Sequence, residues 1–227
     1  MSEIANRAPA DHEARHRALV ERMVADLRPV RRLWPIGLRL ALWIALEAGV
    51  LLFAIYHSRR TDLGRQLSNL WFLLCVGGFA AAGVVGAALA LRSAIPGRAP
   101  GRKEVGFLLV LTVGSALLLL HEPINANVPI ATFVGTGLPC VFGIATLALL
   151  PLLALLWAVK RGAPLAGGFG GALAGAGAFL FSFALMRARC PIDEGLHLFM
   201  WHFLPTLIGI AASAGAGFLW SRKRGGK

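Results

Sequence analysis

Charged side chains make up only 15% of the 227 residues, and acidic ones are scarcer still, 11 against 23 basic. A soluble domain carries nearer a quarter of its residues charged, so solvation by water alone is excluded for most of this chain. The signatures of common enzymes are missing too. There is no Walker A loop, GxSxG elbow, HExxH pair or dinucleotide fingerprint in a strand-to-helix context. The expectation is a chain that is not an enzyme and uses no cofactor. With three cysteines and no CxxC, neither a disulfide-rich scaffold nor a sequence-adjacent redox pair fits. No early apolar stretch of the signal-peptide kind is present, the leader being polar and charged. Internal repeats and paired broken spans, which mark many secondary transporters, are also lacking.

What the sequence does have is apolar length. Hydrophobic residues reach 57% and fall in long unbroken runs. A bilayer core takes about 20 apolar residues to cross as a helix, because each backbone amide must find its partner within the segment. Six stretches qualify: Ile36–Tyr56, Asn69–Leu91, Val105–Leu120, Leu138–Val159, Leu165–Met186 and His197–Trp220. The third is the shortest and draws on Glu104 and His121 at its ends. The expected fold is all-α: a polytopic bundle of six transmembrane helices preceded by a short amphipathic helix. Residues 1–35 form the leader, 36–220 the membrane domain and 221–227 a basic tail.

The basic residues are distributed unevenly. Arg7, Arg15, Arg17, Arg22, Arg28, Arg31 and Arg32 precede the first span. Arg92, Arg98, Arg102 and Lys103 follow the second, Lys160 and Arg161 the fourth, and Arg222, Lys223, Arg224 and Lys227 the last. The opposite loops hold Arg59, Arg60, Arg65, Arg187 and Arg189. Cytoplasmic loops collect Lys and Arg, so the leader, the even-numbered loops and the tail are expected in the cytoplasm and the protein in a bacterial inner membrane. Trp34, Trp157 and Trp220 fall near one interface, Trp71 and Trp201 near the other. This pattern assigns the positive charge to topology rather than to direct nucleic-acid binding.

From about residue 12 to 28 the leader turns periodic, with Leu19, Met23 and Leu27 four residues apart, Val20 and Val24 beside them, and charged residues elsewhere on the wheel. Pro29 disfavours helix at Arg28 and so ends the pattern. A helix this short needs its stripe covered, and two covers fit: anionic lipid at the membrane surface, or a groove on a soluble partner. Small residues recur at four-residue spacing as Gly167, Gly171 and Gly175, as Gly209, Ser213 and Gly217, and as Gly78, Ala82 and Gly86. Such faces serve close packing within the bundle or a homodimer contact. Pro151 and Pro205 lie inside spans and are expected to kink them.

The expected topology sends Cys140 and Cys190 to the external side, with Cys75 in the external half of the second span. Thiols there can form a disulfide, stay as a redox sensor or bind a soft metal. His121, Glu122, Asp193, Glu194 and His197 are further candidate ligands at the same face. Glu47 sits near the middle of the first span, where an ionised carboxylate is costly, and His202 lies at a comparable depth as its candidate partner. A transporter using Glu47 and His202, and a thiol-redox membrane protein using Cys140 and Cys190, therefore stand as rival readings.

Three segments carry a resemblance. LVERMVADLRPVRRLWP (19–35), LPCVFGIATLALLPLLALLWAVKRGAP (138–164) and CPIDEGLHLFMWHFLP (190–205) resemble the NrsF-type membrane anti-sigma factors. These are six-span negative regulators of an extracytoplasmic-function sigma factor. The resemblance implies that the leader sequesters a sigma factor and that metal or oxidant stress is sensed at Cys140 and Cys190. It gives Cys75 no role. Leu19, Met23, Val24 and Leu27 are the partner contacts we read from the stripe.

Overall fold

Backbone amides in hydrocarbon have no solvent to bond, and the chain meets that condition with helix: among the described residues there is no strand. The computed structural model describes residues 3–25, 33–57, 60–124, 127–162 and 167–225. It divides into two compact units, one ending at Leu33 and one beginning at Trp34.

The first unit contains α1 (Glu3–Ala25). It begins well before residue 12, where the periodic helix was expected to start, and runs through Pro9. Strong helix formers around the proline (Ala5, Ala8, Ala10, Glu13, Ala14) offset the single hydrogen bond it removes. Leu19, Val20, Met23 and Val24 are each more than half exposed within this unit. Leu27, the fourth expected anchor, and the stop at Pro29 lie outside the described residues.

The second unit holds six helical segments long and apolar enough to cross a bilayer. They are α2 (Ile36–His57); α4 (Leu70–Ser93), after the one-turn α3 (Leu63–Gln66); and α5 (Arg102–Leu117) with a tight turn through His121. Then come α6 (Ile130–Arg161), α7 (Gly167–Arg187), and a last segment made of α8 (Gly195–Leu198), a π-helical turn at Phe199–Phe203 and α9 (Leu204–Gly225). Asn69 caps α4 by accepting from the Trp71 amide at 3.1 Å, and Glu104 accepts from the Gly101 amide at 2.9 Å at the start of α5. The turn between those two helices needs a positive φ, supplied by Gly97 at +78°.

Two spans differ from expectation. Helix α6 starts at Ile130 instead of Leu138, because Pro129 takes the extended conformation that launches a helix and the apolar run after it simply continues. At 32 residues it is about 48 Å long, more than a bilayer core requires. In the last segment Pro205 cannot donate to the carbonyl of Trp201, and the helix widens into the π turn just before it.

At the centre stands α7, with 78% of its most apolar window buried against 17% for the first span. Lipid tails give helices no hydrophobic reason to associate, so close van der Waals approach must do it. A Cβ on Gly86 of α4 would lie 2.7 Å from the Gly177 amide nitrogen of α7, and one on Gly175 would lie 2.7 Å from Cβ of Ser213 in α9. The small faces noted in the sequence are thus covered by the chain's own helices. Phe79 and Phe183 stack beside them with centroids 4.0 Å apart. Helix α2 lies at the margin, tied to α6 where Trp43 Nε1 donates to the Pro151 carbonyl at 3.3 Å and Arg39 to that of Ala158 at 2.6 Å.

Candidate functional site

One end of the bundle gathers most of the chemistry. Cys140 comes from α6, Cys190 from the loop after α7, His197 from α8 and His202 from the π turn. All four are buried, and one ligand atom from each lies within 4.8 Å of the others. The two sulfurs are 3.7 Å apart, and His197 Nε2 lies 3.6 Å from each. A disulfide closes to about 2.05 Å, so these are two thiols in contact.

The local backbone explains the convergence. In a regular α-helix, residues five apart point about 140° away from each other. A turn bonded from i to i+5 brings such positions much closer together around the axis, and the one at Phe199–Phe203 helps His202 share a face with His197. Thr206 Oγ1 donates to the His202 carbonyl at 2.9 Å and secures the widened turn. Trp201 packs where any Cβ on Gly137 would stand, so that glycine lets the last segment approach α6 one turn before Cys140. His202 is fully buried with neither ring nitrogen hydrogen-bonded.

Beside the thiols lies a network of ion pairs whose two guanidiniums are buried and whose three carboxylates are partly exposed. Arg187, with no exposed surface, pairs with Glu122 and Asp193. Arg60 donates to Asp62 at 2.7 and 3.0 Å and to Asp193 at 2.9 Å, and Gln66 Nε2 donates to Asp193 at 2.9 Å. Both guanidiniums lie over the Phe72 ring, 5.6 and 5.3 Å from its centroid. Asp193 therefore pins the loop that carries Cys190 to the end of α7 and to the connection after the first span. Hydrogen bonds from Arg60 hold the Asp62 carboxyl well below its usual range. Burial pushes Glu122 upward, only partly opposed by Arg187. The hydrogen bond from Cys140 holds the Cys190 thiol below its ordinary value against the cost of burial, with His197 helping.

The sequence expectations separate cleanly here. Cys140, Cys190 and His197 come together. Glu122 and Asp193 join the ion-pair network instead, and His121 stacks on Trp71 with centroids 4.5 Å apart. Cys75 is buried within electrostatic reach of Arg187, away from the other two cysteines. His202 does not partner Glu47, as had been expected. It turns toward the cysteines, and both Glu47 oxygens are buried without a hydrogen-bond partner. Arg60 and Arg187 were overlooked, having been read as loop charges. The available signal was Asp193, an acid close to a cysteine at a span end and in need of a cation.

A family model described as "NrsF: Negative regulator of sigma F" matches residues 23–222. No curated protein and no solved structure matches the chain. The matched region begins near the end of α1 and takes in all six long helices and every residue of the thiol–imidazole cluster and the charge network. On that coverage, the chain belongs to the NrsF family of negative regulators of sigma F.

Proposed function

We propose that this protein is an inner-membrane anti-sigma factor that holds an extracytoplasmic-function sigma factor through its cytoplasmic leader. It releases the factor when metal or oxidant acts on Cys140 and Cys190 at the periplasmic side. The observation that carries the reading is the meeting of those two thiols at 3.7 Å from positions fifty residues apart. Thiols so paired in a family of regulators fit an input rather than a packing role. The bias of Lys and Arg toward the leader, the even loops and the tail supports the orientation. The exposed stripe Leu19, Val20, Met23 and Val24 supports the leader as the docking element, an amphipathic helix offering anchors at i, i+4 spacing.

The charge network suggests how the ends communicate. A change at Cys190 moves the loop holding Asp193, whose partner Arg60 lies three residues beyond the end of the first span. That span leads directly to the leader. Helix shifts of an ångström or two suffice if the bundle has two packings with different affinity for the partner. Taking a partner from 90% bound to 90% free at fixed concentration needs a roughly 80-fold weakening, about 2.6 kcal/mol.

The test is sigma-factor release from membranes carrying the Cys140→Ser, Cys190→Ser double variant. Retained binding with loss of stress-dependent release is the expected result. Release indistinguishable from wild type removes the thiols from the mechanism. Failure of the full-length protein to capture any sigma factor removes the partner assignment.

A further inference from the structure

Four side chains, two of them imidazoles, converge where a disulfide alone would need two. We propose that Cys140, Cys190, His197 and His202 form a four-coordinate site for a divalent cation that prefers tetrahedral sulfur and nitrogen ligands, of the zinc or cadmium type. The inference deepens the sensing role given to the cysteine pair and rests on it for biological meaning, though not for its chemistry.

The distances fit. With metal–sulfur bonds of about 2.3 Å and metal–nitrogen bonds of about 2.05 Å, a tetrahedron has sulfur–sulfur edges of about 3.8 Å and sulfur–nitrogen edges of about 3.6 Å. The corresponding separations here are 3.7 Å between the sulfurs and 3.6 Å from each to His197 Nε2. His202 supplies the independent indication. It is a fully buried ring with two unsatisfied nitrogens, and it completes the set within 4.8 Å. A buried polar side chain without a partner is costly, and a bound cation would provide one.

Charge narrows the ligand class. Binding releases one proton from each thiol, so two thiolates and two neutral imidazoles meet two positive charges and the filled site is neutral. A neutral complex suits surroundings closed by Phe133 and Phe183, whose rings lie edge-on to His197 and His202 at 6.4 and 5.8 Å. Oxyanions find no donor set of this kind, and magnesium or calcium would seek oxygen ligands that the cluster lacks. Ion pairs of Arg187 with Glu122 and Asp193, and of Arg60 with Asp62 and Asp193, offset the repulsion these guanidiniums exert on a cation at the site.

The experiment uses the full-length protein in detergent, stripped with chelator under reducing conditions and titrated with cobalt(II) as an optical probe and cadmium(II) as a competitor. One cobalt per chain is expected, with the intense visible bands of a four-coordinate site, thiolate charge-transfer absorption, and loss of signal with cadmium. Affinity should fall steeply as pH falls, since two protons must leave. In the wild-type protein, zinc should protect both thiols from maleimide, a readout that needs no substitution. Cys140→Ser and Cys190→Ser should each lower the charge-transfer absorption by about half, one thiolate remaining, or weaken binding strongly, and the double variant should abolish the band. His197→Gln and His202→Gln should each weaken it by more than about tenfold, the least expected for a ligand when outer-shell partners alone cost that much. Monodisperse wild-type protein that binds no cobalt, or glutamine variants with unchanged affinity and spectrum, would overturn the assignment. Stress-dependent release without metal binding would also overturn it while leaving the thiol-sensing reading intact. Metal binding without release does the reverse.

Discussion

Helices α7 and α1 use their surfaces in opposite ways. Almost every face of α7 is covered by α4, α6 or α9, its glycines letting backbones meet and its last residue, Arg187, carrying two ion pairs. The apolar stripe of α1 is more than half exposed among the described residues of its own unit. Stability of the bundle should therefore reside around α7, while substitutions on α1 should leave it untouched and alter only what the leader binds. The comparison also shows why an apolar residue means different things in the two places: in α7 it is a packing contact, and in α1 it is an open surface.

The sharpest way to break the contrast is at Arg187. Arg187→Met leaves Glu122 without its buried cation and Asp193 with Arg60 alone, and a loss of up to about 3–5 kcal/mol is expected in reversible unfolding from mild detergent. A loss below about 1 kcal/mol would mean the network is wet. Next comes the glycine interface. Gly86→Leu forces a side chain into the α7 backbone and should cost about 1–3 kcal/mol, whereas Gly106→Leu, with open space around its Cβ position, should stay within about 0.5 kcal/mol. Equal costs would show that α7 is not the organising helix.

On the leader the prediction reverses. Leu19→Asp with Met23→Asp should weaken sigma-factor capture about 10- to 100-fold, measured by titration on membranes, with the bundle's unfolding curve unchanged. Unaltered capture would transfer the contact to another surface. The smallest effect concerns Asp62. Its carboxyl is held below the ordinary value by Arg60, so its contribution to stability is present above pH 4 or so and disappears as pH falls through the depressed folded value. Asp62→Asn should flatten that acid-side decline. An identical acid profile in the variant would show that the Arg60 pairing adds nothing.

Much of the fold was legible because spanning a bilayer is a local requirement. Any run of the necessary length must be helix, so the spans could be placed without knowing their neighbours. The errors fell where local rules compete. The helix starts were placed too late, at about residue 12 and at Leu138, yet α1 runs through Pro9 and α6 through Pro139. Around Pro139, where Gly135, Thr136, Gly137 and Val141 are poor helix formers, the need to satisfy backbone amides in hydrocarbon carries the helix on. At the site, the cysteines and His197 were visible as residues of the right chemistry near one face. His202 was assigned to Glu47 instead, because depth along the chain carries no information about which side of a helix a ring occupies.

From the residues alone came the solvent, the number of crossings and the asymmetry of charge, since each follows from composition within a single segment. The tertiary structure decided the convergence: two thiols fifty residues apart, two imidazoles aligned with the help of a π turn, and an aspartate holding three elements together. Such meetings depend on how helices rotate about their own axes when their small faces interlock. Rotation is set by the neighbours, and a linear sequence does not state which neighbours those will be.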